Sequence, residues 1–227
     1  MAEAIIYINE LSEAFKSAGD AKRAAQQSAY MRDQFSFLGI AANARKETLK
    51  PFFRKENRPK KKDLEIVVKT LWQKPEREYQ YAAQELASKY LRESEIKDIE
   101  LFEWMITTKS WWDTVDFIAA TLVGNYFHHY PESLKEINEK WLKSGNIWLQ
   151  RSTLIFQLKY KDQVNDQLLK ANILALSGSK EFFINKAIGW ALREYGKVNP
   201  QWVKSFVGKT GLSNLSRREA LKRIGTN

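Results

Sequence analysis

The sequence contains no cysteine and only two histidines, His128 and His129, among its 227 residues. The absence of cysteine excludes disulfide bonds, a thiolate nucleophile and every metal site that needs a cysteine ligand. A metal site or a Ser-His-Asp triad would have to use one of the two adjacent histidines. We therefore expect neither a metal ion nor a cofactor, and the composition suits a reducing compartment such as the cytoplasm.

Long apolar segments and low-complexity segments are also missing. The longest apolar run, 117–123, is far shorter than the ~20 residues that a membrane-spanning helix needs. The segment 1–11 carries Glu3 and Glu10 and has no basic stretch, which argues against a secretory signal. With only 10 Gly and 5 Pro and with 44% hydrophobic residues, a folded chain is expected. We expect a cytoplasmic protein without a membrane-spanning helix.

Basic residues, in contrast, are in excess. The 37 Lys and Arg outnumber the 27 Asp and Glu and give a net charge of +10. Such an excess favours a polyanionic partner, either nucleic acid or an anionic membrane surface. The basic residues concentrate in segment 54–62 and after Ser216, a candidate helix N-cap, in the group Arg217, Arg218, Lys222 and Arg223. Either group can contact a phosphate backbone, or it can be ordinary solvated surface.

The spacing of apolar residues predicts helices throughout. One stripe at spacings i, i+3, i+4, i+7 and i+8 consists of Leu64, Val67, Val68, Leu71 and Trp72. Similar stripes recur to the end of the chain, and no segment alternates with the period of a strand. The sequence therefore predicts an all-α fold, and its length favours a single domain over 1–227.

Short polar breaks followed by aromatic-rich helices recur with a period near 35 residues. They lie near Lys74, Thr108, Ser144 and Ser177, which are 34, 36 and 33 residues apart. Two helices per period are typical of an α-solenoid, whose stacked helices line a concave face. We expect an N-terminal helical region over 1–60 and repeats near 74–107, 108–143, 144–176 and 177–210.

One position in this repeat pattern carries an unusual residue. In register, the repeats place Ala83, Asp116, Ser152 and Ala187 at one site, where tight helix packing favours small side chains. The carboxylate at Asp116 can form a hydrogen bond between repeats, or it can face a functional cleft. A cleft is favoured because an aromatic residue precedes it by one helical turn and because Arg151 and Trp190 fall at related positions of the following repeats.

Four strings in this order resemble those of the bacterial AlkD-type DNA alkylation repair glycosylases. The strings are 30–40 (YMRDQFSFLGI), 108–116 (TKSWWDTVD), 146–151 (NIWLQR) and 179–195 (SKEFFINKAIGWALREY). The similarity runs from about residue 10 to 224. It implies a HEAT-like helical-repeat protein, curved around a concave basic face, that excises cationic N3- and N7-alkylated purines from duplex DNA.

The resemblance also implies roles for individual residues. Asp116 matches the catalytic aspartate, Trp112 and Trp190 match the active-site tryptophans, Arg151 matches an arginine that contacts the DNA backbone, and Tyr30 matches a lesion-region tyrosine. Further DNA contacts are expected from Lys109, Arg45, Lys46, Lys159, Arg193, Arg217 and Arg218. The chain departs from the family at 41–44 (AANA), where a Thr-Pro is usual, which puts the local DNA contacts of this turn in question.

The expected activity is hydrolysis of the N-glycosidic bond of 3-methyladenine and 7-methylguanine by a monomeric, monofunctional DNA glycosylase that uses no metal or cofactor. The main alternative is a non-catalytic helical-repeat protein that binds nucleic acid or serves as an adaptor. A peripheral membrane protein is disfavoured because the sequence has no clearly basic amphipathic helix to serve as an anchor, so no membrane partner is expected. A metal-dependent nuclease is disfavoured because the sequence shows no cluster of Asp and Glu residues at the spacing of metal ligands. The presence of Asp116 together with both Trp112 and Trp190 favours the enzyme over the non-catalytic binder.

Overall fold

The computed structural model describes residues 2–222 and 224, so the predicted basic residue Arg223 lies outside the described residues. In this part of the chain the secondary structure is helical, and the one β-type pairing is an isolated bridge between Ser36 and Glu76. The predicted all-α fold is confirmed. None of the described helices is long and apolar enough to cross a membrane.

The chain divides into two compact units, Met1–Ser94 and Glu95–Asn227. The helices of the first unit are α1 Ala2–Ser17, α2 Ala21–Tyr30, α3 Ala42–Leu49, α4 Leu64–Gln73 and α5 Arg77–Ala87, with 3-10 turns at Lys61–Asp63 and Ser88–Glu93. A helical-repeat domain can itself contain several compact units, because each repeat contacts mainly its neighbours. The single domain over 1–227 therefore stays a prediction.

The second unit contains nine of the described α-helices. They are α6 Asp98–Thr107, α7 Trp112–Phe117, α8 Gly124–His129, α9 Leu134–Lys143, α10 Ile147–Ile155, α11 Asp166–Leu176, α12 Phe182–Tyr195, α13 Pro200–Lys209 and α14 Asn214–Leu221. A π-helical segment, Ile118–Val123, joins α7 to α8 without a break. Short 3-10 turns lie at Pro131–Ser133, Phe156–Lys159 and Lys161–Gln163.

The four polar breaks in the sequence are helix ends in the structure. Lys74, Thr108, Ser144 and Ser177 are the C-cap residues of α4, α6, α9 and α11. The next helix after Ser144 begins with a side-chain cap, because the Asn146 carboxamide oxygen accepts the N–H of Trp148. The helix boundaries are thus confirmed, whereas the grouping of the helices into four curved repeats stays a prediction.

The last helix begins earlier than its sequence suggested. Ser216 is a predicted N-cap, but it lies inside α14 and is buried. The cap is Ser213, whose hydroxyl accepts the N–H of Ser216 at 3.1 Å between Oγ and N. The two serines are three residues apart, so sequence alone could not decide which of them caps the helix.

The register positions of the predicted repeats differ in burial. Ala83, Ser152 and Ala187 are fully buried, as tight packing of α5, α10 and α12 requires. Asp116 keeps 16% of its side chain exposed. The exception that the sequence singled out is therefore also the one position of the four that reaches the surface.

Candidate active site

Asp116 lies in the last turn of α7, immediately before a change of helix geometry. The π-helical segment that starts at Ile118 inserts wider turns into an otherwise continuous helix. Such insertions are rare and are frequently found at functional sites, because they displace the side chains on either side of them. The amino-acid pattern of 117–123 gives no sign of this segment, which reads as ordinary apolar helix.

The Asp116 carboxylate forms a bidentate ion pair with Arg151 on α10. Arg151 Nε donates to Asp116 Oδ1 at 2.7 Å, and Nη2 donates to Oδ2 at 2.9 Å. The remaining terminal nitrogen, Nη1, donates to the backbone carbonyl of Phe183 on α12 at 2.5 Å. Only 4% of the Arg151 side chain is exposed. Three helices therefore fix the position of one carboxylate through one guanidinium group.

The ion pair of Arg151 with Asp116 was not predicted from the sequence. The side chain is expected to contact the DNA backbone, yet its guanidinium group lies inside the protein against Asp116. The ion pair is observed, and a phosphate contact by Arg151 stays a prediction. Fork-shaped pairing of this kind fixes orientation as well as charge.

Burial and two neighbouring charged residues act on the pKa of Asp116. Burial is the larger, and it raises the pKa of the carboxyl above its usual value because a charged group is costly to remove from water. The hydrogen bonds and positive charge of Arg151 lower the pKa and oppose this rise. The negative charge of Asp113 adds a smaller increase in the pKa.

An aromatic cluster packs where Arg151 is anchored. The ring centroids of Trp111 and Trp148 are 5.7 Å apart, and those of Trp148 and Phe183 are 5.0 Å apart. Trp111 also contacts Phe183 edge to face at 5.2 Å. Because the Phe183 carbonyl accepts a hydrogen bond from Arg151, this cluster restrains the arginine as well as filling space. Trp111, the first of the two adjacent tryptophans, therefore packs within this cluster.

A cleft of about 390 Å³ opens beside Asp116. Its lining residues come from α7, the π-helical segment, the turn after α10 and α12, and are Asp116, Phe117, Ala120, Thr121, Leu158, Lys159, Trp190 and Glu194. Aromatic, acidic and basic groups therefore share one surface depression. A cationic, flat ligand suits such a lining, because it can meet both a carboxylate and the face of an indole ring.

Lys159 is the cation of this cleft. Its Nζ donates to Thr121 Oγ1 at 2.7 Å and lies 5.9 Å from the ring centroid of Phe117. Burial lowers the pKa of Lys159 below its usual value. Lys159 is one of the DNA contacts expected from the sequence. The structure places Lys159 in the same cleft as Asp116, and a DNA contact by this lysine stays a prediction.

The two tryptophans predicted for the site are both half-buried. Trp190 lines the cleft, and Trp112 lies one helical turn before Asp116 on α7. Lys109 lies in the turn between α6 and α7 and has a left-handed backbone with φ of 49°. That conformation is uncommon for a residue other than glycine, and it marks the turn that leads into α7 as constrained.

Three predicted DNA contacts belong to the first unit. Tyr30 is 73% exposed at the end of α2, and Lys46 is exposed on α3. Arg45, in contrast, pairs with Glu85 at 3.1 Å and lies over the ring of Tyr81 at 4.6 Å. A DNA contact by Arg45 stays a prediction, and it would compete with these interactions.

The segment 41–44, where the sequence departs from the family that it resembles, forms the start of α3. Ala41 is the N-cap of α3, and no side-chain cap is present there. The turn before it is nonetheless well held, because the Glu78 carboxylate accepts the backbone N–H groups of Leu38, Gly39 and Ile40 at 2.9 to 3.1 Å. The turn is therefore held by Glu78, although no side chain caps α3.

The remaining predicted contacts lie on α12 and α14. Arg217 and Arg218 are exposed on α14. Arg193 on α12 pairs with Glu219 at 2.8 Å. Sequence reasoning did not identify Glu194 in the cleft or Glu219 beneath Arg193, because single acidic residues on amphipathic helices carry no signal of their own.

Metal ligands are not clustered in this region. Within residues 2–222 and 224, no group of three or more His, Asp or Glu side chains is arranged to hold a metal ion. The charged and aromatic side chains that line the cleft include the carboxyl groups of Asp116 and Glu194, the ammonium group of Lys159 and the indole of Trp190.

Comparison with known proteins gives a consistent result. The chain matches the family model for DNA alkylation repair enzymes over residues 11–224. It is also similar to the solved structure of a predicted DNA alkylation repair enzyme from Enterococcus faecalis, with 35% sequence identity and a TM-score of 0.85. That match covers 92% of this chain and 98% of the other. No curated protein matches the chain.

Proposed function

Because the chain belongs to the DNA alkylation repair enzyme family, we propose that it is a DNA glycosylase for cationic alkylated purines. Family membership confirms the resemblance drawn from the sequence and gives the protein a role in the repair of alkylation damage. The specific reaction that we propose is hydrolysis of the N-glycosidic bond of 3-methyladenine and 7-methylguanine in duplex DNA, which leaves an abasic site. The observation that carries this proposal is the Asp116 carboxylate, fixed by Arg151 at the edge of an open cleft.

The chemistry of the leaving group fits this site. A purine alkylated at N3 or N7 already carries a positive charge, so it departs as a neutral base and needs no general acid. As the bond to the base lengthens, positive charge develops on the deoxyribose. A carboxylate close to C1′ stabilises that charge and can orient the attacking water.

Arg151 orients the Asp116 carboxylate for this role. Both carboxylate oxygens accept a hydrogen bond from the guanidinium group, so the carboxylate keeps one orientation while it retains lone pairs for a water molecule. The indole faces of Trp190 and Trp112 add favourable interactions with a cationic sugar, each worth roughly 0.5 to 2 kcal/mol. Lys159 and Lys109 are proposed to hold neighbouring phosphates.

A second candidate function is a non-catalytic DNA-binding protein. The observation that favours it is the same ion pair, because a bidentate Arg-Asp pair between helices can be wholly structural. Exposed Arg217 and Arg218 would serve such a binder equally well.

Base release from defined duplexes separates the two functions. We expect the protein, in the presence of EDTA, to release 7-methylguanine from DNA in single-turnover assays. A duplex of the same sequence with the neutral adduct ethenoadenine is the matched control. We expect its release to be at least about 100-fold slower, because an uncharged departing base needs a general acid that the proposed mechanism does not supply. Binding of both duplexes without release of either base would favour the non-catalytic protein.

A further inference from the structure

The Glu219 carboxylate on α14 forms ion pairs with three basic side chains. Lys186 Nζ lies 2.9 Å from its Oε1, Lys222 Nζ lies 3.0 Å from the same oxygen, and Arg193 Nη1 lies 2.8 Å from Oε2. The Glu219 side chain is only 3% exposed, whereas those of Arg193, Lys186 and Lys222 are 20%, 39% and 55% exposed. The negative charge therefore lies beneath a positively charged surface.

Close packing of α14 on α12 explains why Glu219 is so deeply buried. A Cβ atom at Gly189 would come within 2.5 Å of the Glu219 Cβ and 2.9 Å of the Ser216 carbonyl oxygen. Ser216 Oγ also donates to the Asn185 carbonyl at 2.8 Å. Only glycine at position 189 allows α14 to reach α12 so closely and to place Glu219 under the cations.

The charges of this group do not cancel. One carboxylate faces three cations, so the group of four side chains keeps a net charge of about +2, with its positive groups outermost. The cations lower the pKa of Glu219 to about 2, with the hydrogen bond from Lys186 as the largest contribution. The carboxylate is thus ionised throughout the physiological range, and it holds the cations in place when no other anion is present.

The position on α12 connects this group to the candidate active site. Lys186, Trp190 and Arg193 are spaced i, i+4 and i+7, so they follow one face of the helix. Trp190 lines the cleft that contains Asp116. The basic group therefore flanks a residue of the cleft, on the same rigid element.

We propose that Lys186, Arg193 and Lys222, held by the buried Glu219, form a preassembled binding site for a DNA phosphate next to the cleft. The inference rests on the proposed function for its ligand, a phosphodiester group of duplex DNA. Glu219 is a positioning residue in this account. It fixes the rotamers of the cations in advance, so that binding a phosphate costs less side-chain entropy.

Glu219→Gln tests the proposal because the change in net charge and the loss of the anchor predict opposite changes in the affinity for duplex DNA. The substitution adds one unit of positive charge, which by itself strengthens binding to unmodified duplex DNA. We expect about fivefold weaker binding, because the cations lose their anchor. Glu103→Gln is the matched control, since Glu103 holds Lys140 and the Trp141 indole between α6 and α9 and its loss changes the net charge equally.

A second pair of variants tests the site if Glu219→Gln fails to fold. Lys186→Met with Arg193→Met removes two of the anchored cations from the helix face. The slope of log K against log salt concentration is negative, and we expect it to become shallower by about 0.9 for each phosphate contact that is lost. Lys140→Met with Lys143→Met removes the same charge from α9, and we expect it to keep the wild-type slope.

The proposal is overturned if Glu219→Gln binds duplex DNA as tightly as Glu103→Gln, or if both double variants show the same slope. These binding measurements use unmodified DNA, so they do not depend on base release. A wild-type protein that releases no base but loses affinity through Glu219→Gln would refute the glycosylase proposal and retain the phosphate site.

Discussion

At Asp116, burial and a neighbouring arginine act on one carboxyl group in opposite directions. Burial raises the pKa and favours the neutral acid, whereas Arg151 favours the charged form that the proposed chemistry requires. The charged form of Asp116 is therefore costly to bury, and the hydrogen bonds and positive charge of Arg151 favour it. This balance makes the protonation state of Asp116 sensitive to changes in Arg151.

The pH dependence of base release follows from this balance. Only ionised Asp116 stabilises the cationic sugar, so we expect the rate to rise with pH through the pKa of Asp116. Since burial raises that pKa, the rise should occur above the range of an exposed aspartate, near 3.9. Arg151→Met removes the group that lowers the pKa, and the rise should then move to higher pH. Single-turnover rates, corrected for uncatalysed loss of base, measure this shift.

Removing Arg151 also leaves a buried carboxylate without its partner, which typically costs about 3 to 5 kcal/mol of stability. Arg151→Lys keeps the positive charge but loses the fork geometry, and it serves if the methionine variant does not fold. A pH profile of release identical in wild type and both variants would contradict the coupling between Arg151 and Asp116.

At the scale of helices, the contact between α12 and α14 depends on Gly189. Its added Cβ would lie within 3.0 Å of backbone and side-chain atoms of α14, so the helices would have to move apart. We expect Gly189→Ala to lower the free energy of unfolding by about 1 to 3 kcal/mol, as overpacking does. Chemical denaturation measures the change.

Gly208 in α13 is the matched control for this substitution. Nothing lies within 4 Å of a Cβ built on it. Alanine has the higher helix propensity, so Gly208→Ala should raise the free energy of unfolding by up to about 1 kcal/mol. Equal effects of the two substitutions would mean that α14 does not pack tightly at Gly189.

The N-terminus of α3 offers a substitution that should stabilise the protein. Ala41 occupies the N-cap position with an extended backbone and provides no side-chain acceptor. Serine at an N-cap accepts a free backbone N–H of the first turn. We therefore expect Ala41→Ser to raise the free energy of unfolding by about 0.5 to 2 kcal/mol, with Ala42→Ser, one residue inside the helix, giving no gain. A destabilised Ala41→Ser variant would show that the backbone here does not act as a cap.

Features that depend on local spacing could be predicted from the sequence at this scale. The polar breaks that end at Lys74 and Ser144 are true helix ends, because caps and apolar periodicity are local signals. Asp116 was also identifiable, because repeats align its position with small residues. Contacts between distant residues could not be predicted. The ion pair of Arg151 and the burial of Glu219 depend on how helices pack, and neither leaves a pattern in the sequence.

For the whole molecule, the net charge of +10 and family membership point to DNA as the substrate. Binding and chemistry are separable in this account, because the proposed phosphate contacts come from basic residues whereas the reaction depends on one acid. A variant that loses only the acid should therefore keep most of its affinity for duplex DNA. Loss of affinity and activity together would instead indicate a general structural defect.

The most direct measurement of the central claim is single-turnover release of 7-methylguanine from a defined duplex by wild type and Asp116→Asn, in EDTA and with duplex binding measured in parallel. The exposed Asp162→Asn variant controls for the change of charge. We predict that wild type and Asp162→Asn release the base at the same rate. Asp116→Asn should bind the duplex but lose at least about 100-fold in rate, in line with the loss of a preorganised charge-stabilising group. Full activity of Asp116→Asn would contradict the account, because its mechanism places the essential negative charge at that residue.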